Sequence, residues 1–308
     1  MWKAQNGGLG AHSCDRYAPN PVQMRASWPI PLADSSLDRI FLRDKAQNRC
    51  KMAAVLCRLW TTGPRFPCPH GLERDTCWYA VSMSAVQPSL PHWKPVSRPS
   101  PIRLQGRTVA LEPLDAVQHT RDLWHAVRGH DELWAWLFDG PYATQEALRE
   151  AVAQKQASAD SVFFAIVPAA TGRTAGWASF MRMEPEHGVI EVGNILLGPA
   201  LQRTTAATEA IYLMARHVFE DLGYRRYEWK CNALNEPSRR AALRLGFTFE
   251  GIFRQHMVVK GSNRDTAWYS MLDHEWPARK AAFEAWLDPE NFDASGEQRA
   301  RLSAAGPS

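Results

Sequence analysis

Three apolar runs and two glycine turns within residues 161–197 constrain the fold more than anything else in this chain. SVFFAIVP (161–168) is apolar almost without interruption, as expected of a strand buried on both faces. Thr171-Gly172-Arg173 forms a turn, so TAGWASFMRME returns as an antiparallel partner. His187-Gly188 turns the chain again into VIEVGNILLG. The next stretch, LGPALQRTTAATEAIYLMAR (197–216), reads as a strand end, a short polar loop and a helix beginning near Thr205. Ala207, Ile211, Met214 and Val218 fall on one face of that helix, which Gly223 ends.

The flanks extend the pattern. RTVALEPL (107–114) alternates as a strand, and Asp115 starts a helix through Leu123 and Val127. DELWAWLF is a second helical stretch, followed by ATQEALREAVAQKQAS with Thr144 as N-cap. RRYEWKCN (225–232) sets Tyr227, Trp229 and Cys231 on one side and Glu228 and Lys230 on the other. A short helix spans about 236–245, with Pro237 in its first turn and Gly246 at its end. FTFEGIFRQHMVV and TAWYSMLD are strands around the turn Lys260-Gly261-Ser262-Asn263, and EWPARKAAFEAWL is a closing helix. The order β-α-α-β-β-β-α-β-α-β-β predicts an α/β (α+β) mixed sheet with helices on both faces, in one domain from 102 to 287, with 288–308 a flexible tail.

Residues 1–101 read differently. The first 100 carry 13 Lys and Arg against 6 Asp and Glu, while the remainder carries 23 against 26, so the basic balance belongs to the N-terminal part. Apart from one amphipathic stretch (38–60), repeated prolines block helix and inner strand there, and the segment is expected to be a low-order extension. An over-long reading of the gene, with a natural start near Met83, accounts for the change of composition. Cys57, Cys68, His70 and Cys77 lack the C-x₂₋₄-C knuckle of structural zinc, so no metal is expected. The basic residues are scattered, which argues against nucleic acid. No run of about 18 apolar residues predicts a membrane span, and MWKAQNGGLGAHSC lacks a secretory signal's apolar core, so cytoplasm is the expected location. Oligomeric state is open.

The loop ahead of the 205–216 helix has the physics of an anion site, because the first helical N–H groups have no intrahelical acceptor and the dipole is positive there. It lacks the glycines such loops commonly use, and Thr204 or Thr205 as a plain N-cap remains open.

The element order, with this loop after the fourth strand, resembles the GCN5-related N-acetyltransferase (GNAT) superfamily. NEPSRRAALRLGFTFEGIFRQ is similar to the N-x-x-S-x-x-x-x-x-x-L-G-F-x-x-E-G segment of the ribosomal-protein alanine/serine N-acetyltransferase (RimJ/RimL-like) type, through Asn235, Ser238, Leu245, Gly246, Phe247, Glu250 and Gly251. The resemblance implies a GNAT-like fold and acetyl-CoA as co-substrate. The family's Q/R-x-x-G-x-G/A pyrophosphate loop falls on Gln202, Arg203, Thr204, Thr205, Ala206 and Ala207, with Thr205 at the central glycine and Arg203 at another frequent glycine. Backbone N–H groups bind phosphate without glycine provided φ stays negative, and Arg203 adds a charge-assisted contact. The resemblance further implies that the 189–197 strand splays from its neighbour to admit pantetheine. Gly193 is consistent with a bulge there, and the amides of Ile195, Leu196 and Leu197 would steady the thioester oxyanion.

Acetyl transfer to an amine needs a base, a polarised thioester and a proton for the thiolate. Glu191 is the first candidate base and Glu228 the second, and a salt-bridged strand carboxylate is the plainer reading of each. Ser238 is placed to donate to the CoA sulfur, Asn235 to bond pantetheine or fix the loop, and Arg240, with Arg239 and Arg244, to meet the 3′-phosphate. Cys231 reads as a small core residue, and His217 and His256 as structural. Trp134, Trp136 and Phe138 either cover the acceptor pocket or belong to the core. The expected function is acetyl-CoA-dependent N-acetylation of a small-molecule or peptide amine by direct attack, and the alternative is an inactive acyl-CoA-binding protein of the same fold.

Overall fold

The computed structural model describes residues 89–302. The suggested start at Met83, the 38–60 stretch and the five N-terminal cysteines lie outside them. Eight strands form one sheet: β1 (Leu104–Gln105), β2 (Val109–Pro113), β3 (Val162–Pro168), β4 (Gly176–Glu184), β5 (Val189–Leu197), β6 (Arg226–Asn232), β7 (Thr248–Val259) and β8 (Ser262–Leu272). Five α-helices accompany them: α1 (Ala116–Val127), α2 (Gln145–Gln156), α3 (Thr205–Arg216), α4 (Glu236–Arg244) and α5 (Trp276–Leu287). The strand order is β1-β2-β3-β4-β5-β6-β8-β7, and β5 and β6 pair parallel in an otherwise antiparallel sheet.

Two-faced burial explains the apolar runs. On β3, Phe164 and Ile166 join the core beneath α3, whereas Phe163 and Ala165 join a second core with Leu123 of α1 and Leu148 and Val152 of α2. Side chains alternate across a strand, so each face needs its own apolar set. Local chemistry sets the helix starts. Asp115 accepts from the amides of Val117 (2.9 Å) and Gln118 (2.8 Å), and Thr144 accepts from Ala147 at 3.1 Å. Helix α3 is buried nearly all round because α5 covers its outer side, with Tyr212 and Phe283 ring centroids 5.5 Å apart.

Several boundaries differ from the sequence reading. DELWAWLF supplies only a 3-10 turn, Asp131–Trp134. The Trp134 carbonyl accepts from Leu137 N at 3.2 Å in a tight turn and from Lys260 Nζ at 2.7 Å, and Gly140-Pro141 follows with a cis bond. The β7–β8 turn is just Lys260-Gly261, with φ of +49° and +75°, and Ser262 and Asn263 already belong to β8. Beyond 287, Pro289–Asn291 forms a 3-10 turn, Trp286 Nε1 donates to Gln298 at 2.8 Å and Leu302 is buried, so 288–302 packs on the domain rather than trailing from it. At the other end Val96 N donates to Pro185 O and Trp93 Nε1 to Glu186 O, so residues 89–101 lie against the β4–β5 turn.

One glycine of β4 is required by close approach. A Cβ on Gly176 would sit 2.2 Å from the Leu196 carbonyl oxygen, with the backbone of Leu196 and Leu197 all around it. Gly176→Ala is expected to lower stability by about 2 kcal/mol through forced strand separation. Urea denaturation measures it, and an unchanged midpoint would refute the close-approach account.

Candidate active site

β5 and β6 are hydrogen-bonded neighbours only from Val189–Arg226 to Val192–Trp229. Beyond that pair the strands part, and β5 runs on to Leu197 while β6 runs on to Asn232. The parting begins where β5 bulges. Trp177 pairs with Leu196 and Ser179 with Gly193, so β5 carries one extra residue between them. Asn194 takes φ +51° there, and its Nδ2 donates to the buried Ser179 hydroxyl at 3.0 Å, which donates to the Gly193 carbonyl at 3.2 Å. At Gly193 a Cβ would stand 2.4 Å from Met181 Sδ, so a larger residue there would displace the Met181 side chain. Past Val192, the backbone groups of β5 that face β6, in the Ile195–Leu197 stretch, have no strand to pair with.

A cleft of about 130 Å³ occupies the parting, lined by Glu191 through Ile195 from β5, Trp229 through Asn232 from β6, Asn235 and Ser238 from α4, the 133–138 loop and Arg264 of β8. Trp134 is core, edge-on to Trp177 at 5.8 Å, whereas Trp136 and Phe138 are half-exposed on the cleft wall.

Glu191 and Glu228 lie side by side in the β5–β6 register, both buried. Lys230, also buried, reaches Glu191 Oε2 at 3.0 Å and Glu228 Oε2 at 2.6 Å, with its ammonium 3.9 Å from the Trp268 ring centroid. The Glu191 contact is ionic, without hydrogen-bond alignment at Oε2, and Arg182 adds a second cation at 3.6 Å. Burial pushes the Glu191 pKa up, and Lys230 and Arg182 only partly offset it. Glu228 is further engaged by Arg226 Nε at 2.6 Å and does not line the cleft. The two carboxylates therefore differ: Glu191 opens on the cleft, and Glu228 stands behind it.

At the start of α4, Asn235 Oδ1 accepts from Ser238 N at 3.1 Å, and Ser238 Oγ accepts from Trp229 Nε1 at 3.0 Å. Burial pushes the Cys231 thiol up, with a Ser238 hydrogen bond pulling the other way, so Cys231 is a poor thiolate as well as a core residue. Arg240 is exposed and pairs with Glu236 at 3.2 Å. Arg239 bonds the Tyr269 hydroxyl and the Ala233 carbonyl, and Arg244 bonds Thr208 and covers the Trp286 ring. None of the three lines the cleft.

The loop before α3 settles which threonine caps. Thr204 Oγ1 donates to Leu201 O at 2.7 Å and accepts from Ala207 N at 3.1 Å, so its hydroxyl is fully used. The amides of Thr205 and Ala206 precede the first intrahelical bond and face no partner of their own helix. Gln202 Nε2 donates to Leu197 O at 3.0 Å, tying the loop to the end of β5. The premise of negative φ fails at one position: Arg203 stands at φ +62°, a conformation that favours glycine. Its backbone thus follows a glycine path while it keeps a side chain, and a strain of about 1 kcal/mol accompanies it.

This arrangement has relatives. Residues 109–248 match the profile of the acetyltransferase (GNAT) domain. The crystal structure of a GCN5-related N-acetyltransferase from Brucella melitensis is 50% identical, with a TM-score of 0.68 over 69% of this chain and 97% of that one. The chain belongs to the GCN5-related N-acetyltransferase family. Two Bacillus subtilis relatives are more distant: the uncharacterized N-acetyltransferase YoaA (31% identical over 102 residues, 33% of this chain) and YdaF, provisionally named a ribosomal N-acetyltransferase (28% over 109 residues, 35% of this chain). The matched segments span 57% and 59% of those two proteins.

Within this GNAT domain, Lys230, Arg182, Asn194, Ser179 and Arg264 escaped the sequence reading. Lys230 was legible only as a strand residue on the Glu228 side, and its bridge to Glu191 needs the parallel register. Arg264 fell beside an expected turn, where nothing in the pattern marks it. No described helix is long and apolar enough to cross a membrane.

Proposed function

We propose that this GNAT member transfers the acetyl group of acetyl-CoA to a primary amine of a small molecule or peptide, by direct attack with both substrates bound. The observation that carries the reading is the parting of β5 from β6 at a bulge, with a buried carboxylate at its mouth and a helix N-terminus at the far end of β5. The residues fit the co-substrate. The unpaired edge of β5 from Ile195 to Leu197 suits an amide-bearing arm laid as an added strand. The Thr205, Ala206 and Ala207 turn, with Gln202, Thr204 and Arg203 around it, suits a pyrophosphate. Acetyl-CoA supplies an acetyl group already activated as a thioester.

The remaining work falls to side chains and backbone. Glu191 accepts the amine proton, directly or through water. Its pKa, raised by burial, lies closer to neutrality than an exposed carboxylate's, which makes it a better proton acceptor in its ionised form. Lys230 and Arg182 hold the carboxylate in place and keep ionisation accessible. Glu228, the second candidate, neutralises Lys230 and Arg226 from behind. Amides of the bulge segment polarise the thioester carbonyl. Ser238 donates to the departing sulfur, and Asn235 fixes the α4 start that presents it. Arg240, paired with Glu236 on the outer face, exchanges that partner for the 3′-phosphate.

Acceptor-dependent release of CoA thiol across a panel of amines tests the function. Turnover with at least one amine is expected. Tight acetyl-CoA binding with no turnover on any acceptor would favour the inactive acyl-CoA-binding alternative. For the loop, Arg203→Ala is expected to weaken CoA binding several-fold, the scale of an exposed charge-assisted contact, and to spare pantetheine, which lacks the pyrophosphate. Calorimetry reads both, and equal losses would reduce the loop to a plain helix start.

A further inference from the structure

Every other cation at the cleft has a carboxylate. Lys230 has Glu191 and Glu228, Arg182 has Glu191, and Arg226 behind them grips Glu250 and Glu228. Arg264 does not. It is only 6% exposed, lines the cleft, and its Nε has no hydrogen-bond acceptor. Among the described residues it makes no ion pair, and its guanidinium carbon stands 4.9 Å from the Phe138 ring centroid. A buried charge without a partner is costly, and a guanidinium cannot escape by losing its proton. Burial, with the neighbouring Arg182, pushes its pKa down and the Glu191 charge offsets this only in part, but from so high a start the guanidinium remains charged. Among the described residues no carboxylate forms an ion pair with Arg264, so its guanidinium is placed to receive an anion brought by a substrate.

Two anions could be brought by the substrates: a phosphate of CoA or a group on the acceptor. The fitted pyrophosphate site is the 202–207 turn, and no residue of that turn lines the cleft holding Arg264. Arg264 instead shares its cleft with Glu191 and with Trp136 and Phe138 of the covering loop. That loop is fastened to the β7–β8 hairpin by Lys260 Nζ on the Trp134 carbonyl, and Glu191 lines the same cleft as Arg264. A planar guanidinium held against an aromatic face presents a fork that matches a carboxylate in two-point contact. About 130 Å³ is space for a small group, on the order of four waters' worth.

Resting on the acetyltransferase reading above, we propose that the amine acceptor carries a carboxylate, which pairs with buried Arg264 while its amine faces Glu191. Free amino acids and short peptides ending in a nearby carboxylate share this chemistry. Arg264 then sets acceptor specificity, and amines without an acidic group are the disfavoured substrates.

The test compares matched pairs: amino acids against their carboxamides, and dipeptides against their C-terminal amides, on the full chain. Both acceptor-dependent thiol release and calorimetric binding to the CoA-loaded protein are read. The carboxylate member is expected to be favoured at least about tenfold in kcat/KM or Kd. Arg264→Gln should shrink that preference to about twofold or less, and Arg264→Lys, which keeps charge but not the fork, should restore only part of it. The acetyl-CoA Kd of each variant reports whether the cleft is folded. Preference confined to the dipeptides would identify the source as a peptide, and preference among the free amino acids a metabolite; either supports the assignment. Equal use of acid and amide, or a preference that survives Arg264→Gln, would overturn it. If nothing turns over, the acetyltransferase reading fails alone, because the binding arm still decides whether Arg264 selects a carboxylate.

Discussion

Glu191→Gln is expected to lower kcat by about 10²- to 10⁴-fold, the usual range for a lost general base, while the acetyl-CoA Kd changes less than about twofold. The substitution is nearly isosteric, and Lys230 retains Glu228 at 2.6 Å, so the buried network keeps its cation paired. The pH profile adds a signature. Burial holds the Glu191 pKa above its ordinary 4.5, so wild-type kcat/KM should climb with pH as the carboxyl ionises, and this limb should vanish in the variant. Steady-state kinetics with saturating acetyl-CoA reads both effects. A variant with wild-type kcat would remove Glu191 from the chemistry and leave it a salt-bridged strand residue.

Lys230→Met tests the network by stability rather than rate. Lys230 is 4% exposed, and the two carboxylates it bridges are 5% and 8% exposed. Removing one partner of a buried ionic cluster leaves uncompensated charge, which costs about 3 kcal/mol or somewhat more. Arg182 and Arg226 remain to Glu191 and Glu228, which places the expectation at the low end of that range. The sign with pH follows from linkage. Without the cation, the folded-state pKa of Glu191, already raised by burial, rises further, so the folded protein binds more protons than the unfolded chain. Stability of the variant therefore falls as pH rises above about 4.5 and recovers as pH falls. Urea denaturation at pH 5 and pH 7.5 should show the smaller deficit at the lower pH. An equal deficit at both would mean that the lost lysine acted through packing on Trp268 and not through charge.

What the sequence reveals depends on how local the cause is. The β3–β4–β5 meander is legible because each strand is buried on two faces, leaving apolar runs bounded by Gly172 and Gly188. The caps at Asp115 and Thr144 are legible because the hydrogen bonds span two or three residues. Illegible features depend on partners far along the chain. The 131–138 loop has helical composition, yet Lys260, 126 residues later, takes the Trp134 carbonyl. Glu191 and Glu228 are candidates by type, but Lys230 joins them only through the parallel register of β5 and β6. Arg203 shows the limit of motif arithmetic: its departure from glycine is plain in the sequence, and its φ of +62° is not. Arg264 is the extreme case, because what distinguishes it is a buried Nε with no hydrogen-bond acceptor among the described residues.

A crystal structure of the chain with CoA tests most directly whether acetyl-CoA reaches its acceptor in the gap between β5 and β6. Pantetheine is expected against β5 beyond Val192, pyrophosphate at the amides of Thr205 and Ala206, and the thiol beside Ser238, on the same cleft as Glu191. CoA bound elsewhere, with β5 and β6 zipped together past Val192 and Trp229, would contradict it.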